Sequence, residues 1–242
     1  MIMQPTMTDI WVYLAQTPLL WLTATLLVYY AADLAYQRVR QWPLANPVLL
    51  SVVLLVFFLT VTGTPYQRYF DGAQFVHFLL GPTTVALALP LWRYAGRLRR
   101  MLLPLSGALL IGSLTSILSV VAIGRLAGVS DVTLRSLAPK SVTTPIAMGI
   151  SEQIGGLPSL TAVLVIVTGI IGAVIAQDLF DRLRLKDQAA RGLAIGVASH
   201  GIGTARALQI HAEAGAFAGL AMGLNGALTA LLAPILARLL GL

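Results

Sequence analysis

The chain is predicted to be an all-α, polytopic membrane protein with about eight membrane segments. Three observations carry that expectation. Of its 242 residues 57% are hydrophobic and only 10% charged, with a mean hydropathy of +0.85, whereas soluble domains carry roughly a quarter charged residues. Apolar runs tile the chain with no extramembrane stretch long enough to fold alone, so residues 1–242 read as a single integral domain. Most Lys and Arg sits in short connections between the apolar runs, which makes the net charge of +7 a topology signal and not a nucleic-acid footprint.

Hydropathy and its interrupters place the segments at about 10–32, 47–62, 74–92, 101–124, 134–155, 160–178, 190–210 and 214–240. Trp11, Trp42, Tyr66, Tyr69 and Trp92 fall near their ends, where interfacial aromatics belong. The opening MIMQPTMTDI has neither a basic n-region nor a small-residue cleavage site, so the first apolar run is read as a retained span. Cysteine is absent, which excludes disulfides, thiolate chemistry and Cys-ligated metals.

Basic residues orient the segments. Arg38 and Arg40, then Arg93, Arg97, Arg99 and Arg100, then Arg182, Arg184, Lys186 and Arg191 form three clusters that the positive-inside rule assigns to the cytoplasm. An even number of crossings must then separate the second cluster from the third. The interrupted 134–155 is therefore expected to be re-entrant, entering and leaving by one face. That places eleven Lys/Arg inside, counting Arg238, against Arg68, Arg125 and Arg135 outside; crossing at every segment gives six inside and eight outside. The amino terminus is expected outside and the carboxyl terminus inside.

GSLTSILSVVAIGRLAG (112–128) resembles GALTALLAPILARLLGL (226–242), and GPTTVALAL from Gly81 loosely matches GIGTARALQ from Gly201. With the orientation above, 47–128 and 160–242 are expected to form an inverted-topology repeat around the re-entrant segment, a pattern found in secondary transporters.

Three segments are broken by Gly, Pro or polar residues: LLGPTTVALALPLW, LAPKSVTTPIAMGISEQIGG and ASHGIGTARAL. In lipid, unpaired backbone amides cost several kcal/mol each, so irregular backbone belongs inside protein or along a watery cavity. The first amides of a new half-helix are unpaired and carry positive partial charge, which suits an anion. Each break sets a Thr at or near a helix start: Thr83 and Thr84, Thr143 and Thr144, and Thr204. Lys140 and Arg206 add charge inside membrane segments, where a basic residue usually faces a cavity or a partner. Lys140 stands close enough to its segment end to snorkel instead, and Arg206 has a structural alternative in pairing with Glu152. Glu152 is itself a candidate for proton coupling, or lies at the exposed end of its segment. His200 has no second His or Cys at ligand spacing, so it is read as proton-handling, substrate-bonding or structural, and no metal is expected. Asn225 reads as a helix contact. Lys140, Ser141, Thr143 and Thr144, with Ser199, His200, Gly201, Gly203, Thr204 and Arg206, and with Thr83 and Thr84, are the expected substrate-binding residues. Their net positive sign calls for a small organic anion, most naturally a carboxylate.

APKSVTTPIAMGISEQIGGLP, GIIGAV, ARGLAIGVASHGIGTARAL and GAFAGLAMGLNGALTALLAP resemble the CidB/LrgB family of antiholin-like proteins, which also covers a region of the plant plastidial glycolate/glycerate translocator. The resemblance is weak over residues 1–45 and good from about residue 74. It implies transport of small monocarboxylates of the glycolate, glycerate, lactate and pyruvate class, in the bacterial inner membrane. It also implies, for some members, control of murein hydrolases and cell lysis with an LrgA/CidA-like, holin-type partner.

Two functions are therefore expected. The leading one is a secondary carrier of small monocarboxylates, working by alternating access as a homodimer whose interface lies on the first two segments. The alternative is an antiholin-like regulator that acts by oligomerising with a holin-like partner. No enzymatic constellation is present in the sequence: there are no paired carboxylates, no Ser-His-Asp set and no nucleotide loop. No cofactor is expected.

Overall fold

The computed structural model describes residues 18–39, 42, 45–79, 82, 85–86 and 88–242, with the side chains of His77, Pro90 and Leu91 left aside. Thr83 and Thr84, and Trp11, lie outside the described residues. The described residues form helices and connections with no strand, as the composition requires. They divide into two compact units, residues 1–85 and 86–242.

In the first unit, α1 (Pro18–Arg38) packs against α2 (Pro47–Val61) and α3 (Tyr66–Phe78). Its anchor is Trp21, fully buried, which meets Phe58 and Tyr69 edge-on at centroid distances of 6.2 and 6.0 Å. Asn46 starts α2 by accepting the amides of Val48 and Leu49 on its side-chain oxygen at 2.9 and 3.3 Å. α1 is long and apolar enough to cross a membrane.

The second unit carries the site. Two short helices, α4 (Ala88–Arg93) and α5 (Ala95–Arg100), lead into α6 (Leu102–Leu126), followed by α7 (Asp131–Leu137), α8 (Thr144–Gln153), α9 (Pro158–Arg182), α10 (Gln188–Ile210) and α11 (Ala212–Leu239). α6, α9 and α11 have 25, 25 and 28 residues and are apolar enough to span; at 1.5 Å per residue each exceeds the roughly 30 Å of a hydrocarbon core. α6 and α11 run in the same direction. Leu105 shares an apolar cluster with Phe217, Leu109 with Ala221, and Ser113 reaches Asn225; near the far end Arg125 donates to the Leu240 carbonyl. α9 runs opposite to both. Its Val165 packs with Ile117 and Ala233 from their second halves, while its Ala176 packs with Ala214 from the start of α11.

α7 and α8 form a hairpin, here hairpin 1. With 7 and 10 residues, neither reaches more than about half of a bilayer core. From the end of α6 the chain turns back along it: Leu134 fills the space beside Gly124, and Lys140 and Ser141 arrive at Ser116, near the middle of α6. α8 then returns to the level of the last turn of α7, beside Arg135 and Ser136. Leu157 N donates to Ser136 Oγ at 2.8 Å, and Thr161 Oγ1 lies 3.0 Å from the Ser136 carbonyl and 2.7 Å from Ser151 Oγ, within hydrogen-bond reach of both. Both feet of the hairpin therefore stand at one end of the unit.

α10 corrects the expectation of a span over 190–210. Its 23 residues are long enough to cross, yet the backbone reverses at His200 (φ 41°, ψ −133°), making hairpin 2. The first arm, 188–199, runs parallel to the start of α11, with the close approaches at Gly192 on Ala214 and Gly196 on Ala218. After His200 the second arm, 201–210, folds back. A Cβ on Gly203 would stand 2.9 Å from Ile195 Cγ1, and Leu208 lies against Gly215. Residues eight apart in a straight helix are about 12 Å apart along its axis, so the Gly203–Ile195 approach requires the reversal. The polar and glycine residues at 199–203 interrupt the helix, and the left-handed φ at His200 turns it round.

The reversal has consequences for topology. The order helix then hairpin occurs twice, as α6 with hairpin 1 and α9 with hairpin 2, in opposite directions. An inversion relating 47–128 to 160–242 is not supported, since the two stretches most alike, in α6 and α11, run the same way. The basic residues Arg93, Arg97, Arg99, Arg100, Arg182, Arg184, Lys186 and Arg191 gather at the end where α11 begins, tied there by Arg97, which pairs with both Asp187 and Glu213. The carboxyl terminus lies at the other end, with Arg125 and Arg135. It was expected to share a face with the basic clusters; the extra reversal in α10 removes one crossing and separates them.

Candidate functional site

The two hairpins enter from opposite ends, and their tips meet halfway along α11. Asn225, 1% exposed, joins them. Its Nδ2 donates to the Val197 carbonyl of hairpin 2 at 3.1 Å and to the Ser141 carbonyl of hairpin 1 at 3.4 Å, while its Oδ1 accepts from Ser113 Oγ of α6 at 2.5 Å. One amide thus ties four elements together at the depth where an unpaired polar group is most costly. Asn225 is the residue that the sequence reading undervalued; its signal was a lone amide in the apolar run MGLNGALTALL.

On the hairpin 1 side, Lys140 is half-buried, and its Nζ donates to Ser116 Oγ at 3.2 Å. Ser116 Oγ also lies 2.6 Å from Ser141 Oγ. Thr143 starts α8 in extended geometry (φ −62°, ψ 146°), and its hydroxyl makes no capping bond. Pro145 follows in the first turn and has no amide hydrogen to offer, leaving the amides of Thr144 and Ile146 as the donors at this helix start.

On the hairpin 2 side, His200 is buried, with Nε2 2.9 Å from the Val165 carbonyl. A carbonyl only accepts, so Nε2 carries the hydrogen. Thr204 Oγ1 donates back to the His200 carbonyl at 2.8 Å, closing the first turn of the second arm. Ser199 packs into the space left by Gly172, and Gly201 sits beside Met222. Both returning arms therefore begin at mid-depth, each directing a helix N-terminus inward from the opposite end.

The structure brings Lys140, Ser141, Thr143 and Thr144 to one tip and Ser199, His200, Gly201, Gly203 and Thr204 to the other. Two expected residues stand elsewhere. Arg206, 9% exposed, lies on the returning arm towards the feet of hairpin 2, in a cleft with Gln177, Phe180, Gln188 and Arg191. Glu152 is exposed near the end of α8, beside the start of α9, at the opposite end of the unit. The structural alternative of an Arg206–Glu152 pair is thereby removed. Among the described residues no three His, Asp or Glu side chains group closely enough to hold a metal ion.

Residues 25–239 match the LrgB-like family. The chain belongs to that family. It is 35% identical over 212 residues to an uncharacterized protein, YwbG, of Bacillus subtilis, covering 88% of this chain and 94% of that one. It is 31% identical over 212 residues to the holin-like protein CidB of Staphylococcus epidermidis, covering 88% and 92%, and 28% identical over 225 residues to the antiholin-like protein LrgB of Bacillus cereus, covering 93% and 98%. No solved structure matches significantly. The names of these LrgB-like relatives agree with a membrane protein of the holin and antiholin type. They do not speak of carboxylate transport.

Proposed function

We propose that this LrgB-like chain carries small organic anions, of the monocarboxylate class, across the bacterial inner membrane. One observation carries the reading: two half-helices direct their N-termini to mid-depth from opposite ends, beside Lys140 and the hydroxyls of Ser141 and Thr143. Discontinuous helices whose positive ends face mid-membrane are a recurring way to hold an anionic substrate. The charge-assisted donors there favour a carboxylate, and the shared Asn225 brace gives each hairpin a closed position from which it can lift towards its own end. Alternating access then follows from lifting one hairpin at a time, with the basic ends of α6 and α9 in the cytoplasm. His200 donates from Nε2 to a backbone carbonyl, which favours a positioning role at the tip over proton coupling. A homodimer through the first unit completes the proposal.

The names of the relatives favour a second reading, in which the chain regulates a holin-type partner and carries nothing. Reconstitution separates the two. Proteoliposomes holding this protein alone take up labelled lactate, glycolate or pyruvate if it is a carrier, with a pH gradient revealing any proton coupling. A regulator gives no uptake alone, and instead co-purifies with a holin-like membrane protein and alters that partner's release of a trapped dye.

A further inference from the structure

We propose that the basic end of the second unit is a docking surface for anionic phospholipid headgroups, made by joining two cationic segments that are distant in sequence. Arg93, Arg99 and Arg100 lie on α4 and α5; Arg182, Arg184 and Lys186 lie at the end of α9 and in the connection that follows. The ion pair between Arg97 and Asp187, 90 residues apart in sequence, brings the two segments side by side. Lys186 directly precedes Asp187, and Arg99 and Arg100 share the last turn of α5 with Arg97.

The same contacts use up the local acids. Arg97 holds Asp187 and Glu213, and Arg191 holds Asp181, which leaves Asp178 as the one free carboxylate at this end among the described residues. The six cations are exposed, and none has an acidic partner among the described residues. At the other end Arg125, Arg135 and Arg238 are offset by Asp131 and Glu152, so the positive surplus is confined to one end.

Charge alone would suit any polyanion; the apolar surface between the cations narrows the choice. Trp92, 77% exposed, directly precedes Arg93. Leu102 and Leu103, the second of them 86% exposed, begin α6 just beyond Arg100, and the exposed Leu183 stands between Arg182 and Arg184. α6 and α9 are long and apolar enough to span, so these residues lie where the spans meet the headgroup layer, the level at which Trp anchors. A phosphate carrying acyl chains matches both features. Its oxygens accept from guanidinium and ammonium groups, and its chains cover the leucines. A soluble polyanion matches only the charge. A headgroup bound here ties α5 to the entry of hairpin 2 and adds to the Arg97 attachment.

The test uses the full chain in mild detergent, with phosphatidylglycerol, cardiolipin or phosphatidylethanolamine added. Native mass spectrometry should show the two anionic lipids retained and phosphatidylethanolamine lost. The thermal midpoint should rise with phosphatidylglycerol, and not with inorganic phosphate at the same concentration, which has the charge without the chains. The double variant Arg99→Gln with Lys186→Gln should weaken phosphatidylglycerol binding by more than tenfold, at roughly fivefold for each cation removed. Arg125→Gln with Arg238→Gln removes the same charge from the opposite end and should leave binding unchanged. If the first pair does not fold, Arg100→Gln with Arg184→Gln replaces it on the same surface. Equal retention of phosphatidylethanolamine, or equal losses in the two charge-matched doubles, overturns the proposal. Stabilisation by inorganic phosphate as strong as that by phosphatidylglycerol also overturns it, and assigns the patch to a soluble acidic partner. Lipid binding at this surface does not depend on transport, so uptake measurements and lipid retention succeed or fail separately.

Discussion

Gly169 on α9 leaves open the space that the imidazole of His200 occupies: a Cβ there would stand 2.6 Å from His200 Cε1. The tip of hairpin 2 is thus seated in a notch of α9 and held by the bond from His200 Nε2 to the Val165 carbonyl. Gly169→Ala should unseat it. Overpacking of this kind costs about 1–3 kcal/mol, so the thermal midpoint in detergent should fall. Gly149→Ala, where an added Cβ meets nothing within 4 Å, is the control and should not lower it, since alanine favours the helix over glycine.

Asn225 should be the strongest polar determinant of the tips. Asn225→Leu strands the carbonyls of Val197 and Ser141 and the hydroxyl of Ser113, and interhelical hydrogen bonds in membranes are worth about 0.6–1.7 kcal/mol each. The destabilisation should exceed that of Ser113→Ala. In the double variant the two losses should add to less than their sum, because both remove the same Ser113–Asn225 bond. Simple additivity in a double-mutant cycle would show that this bond contributes nothing.

Arg97 should govern the feet of hairpin 2. It donates from one guanidinium to Asp187, which caps the first arm through a 2.8 Å bond to Ala190 N, and to Glu213 Oε1 at 2.5 Å, just after the second arm. Asp187 and Arg97 are partly exposed, so the Asp187 bond is worth little; Glu213 is buried, and losing its partner costs more. Arg97→Met should raise hydrogen exchange around residues 187–192 and 210–214 and leave the feet of hairpin 1 unchanged. Uniform or absent changes would remove the clamp.

The paired hairpins make a labelling pattern that an eight-span chain does not. Ser130→Cys and Glu152→Cys, at the feet of hairpin 1, should react with an impermeant thiol reagent from one side of sealed vesicles. Lys186→Cys and Gln209→Cys, at the feet of hairpin 2, should react from the other. Gly156 is unsuited to this experiment, because a side chain there meets Ser136 N at 2.9 Å. If Lys186→Cys and Gln209→Cys label from opposite sides, α10 is a span and the fold of the second unit is wrong.

Much of this was legible in residues and some was not. The runs in α1, α6, α9 and α11 were visible because a span must be apolar along its whole length. The breaks at Pro139–Thr144 and Ser199–Gly203 were visible because helices do not absorb such residues without a reason. What a break does was not visible for α10: 23 moderately apolar residues satisfy the length of a crossing as well as that of two half-length arms. The approach of Gly203 to Ile195, the packing of Leu208 on Gly215 of α11 and the seat at Gly169 decide for the reversal, and no hydropathy pattern contains them. The misplacement of Arg206 follows from the same ambiguity. Six residues past the break in a straight helix it would sit deep; on a returning arm it lies near the feet. Asn225 was readable as a polar residue in an apolar helix but not as a brace, since its three partners come from three other elements.

The most direct measurement is uptake of labelled lactate by proteoliposomes containing the wild-type chain, Lys140→Gln or Glu152→Gln. Lys140 stands at the meeting tips and Glu152 at the exposed feet of the same hairpin, so the pair compares the site with its own scaffold. The account predicts uptake above empty liposomes for the wild type and for Glu152→Gln. For Lys140→Gln it predicts a loss of about tenfold or more, as expected when a charge-assisted hydrogen bond is removed. Wild-type vesicles no better than empty ones, or Lys140→Gln as active as the wild type, would contradict an anion site at the tips.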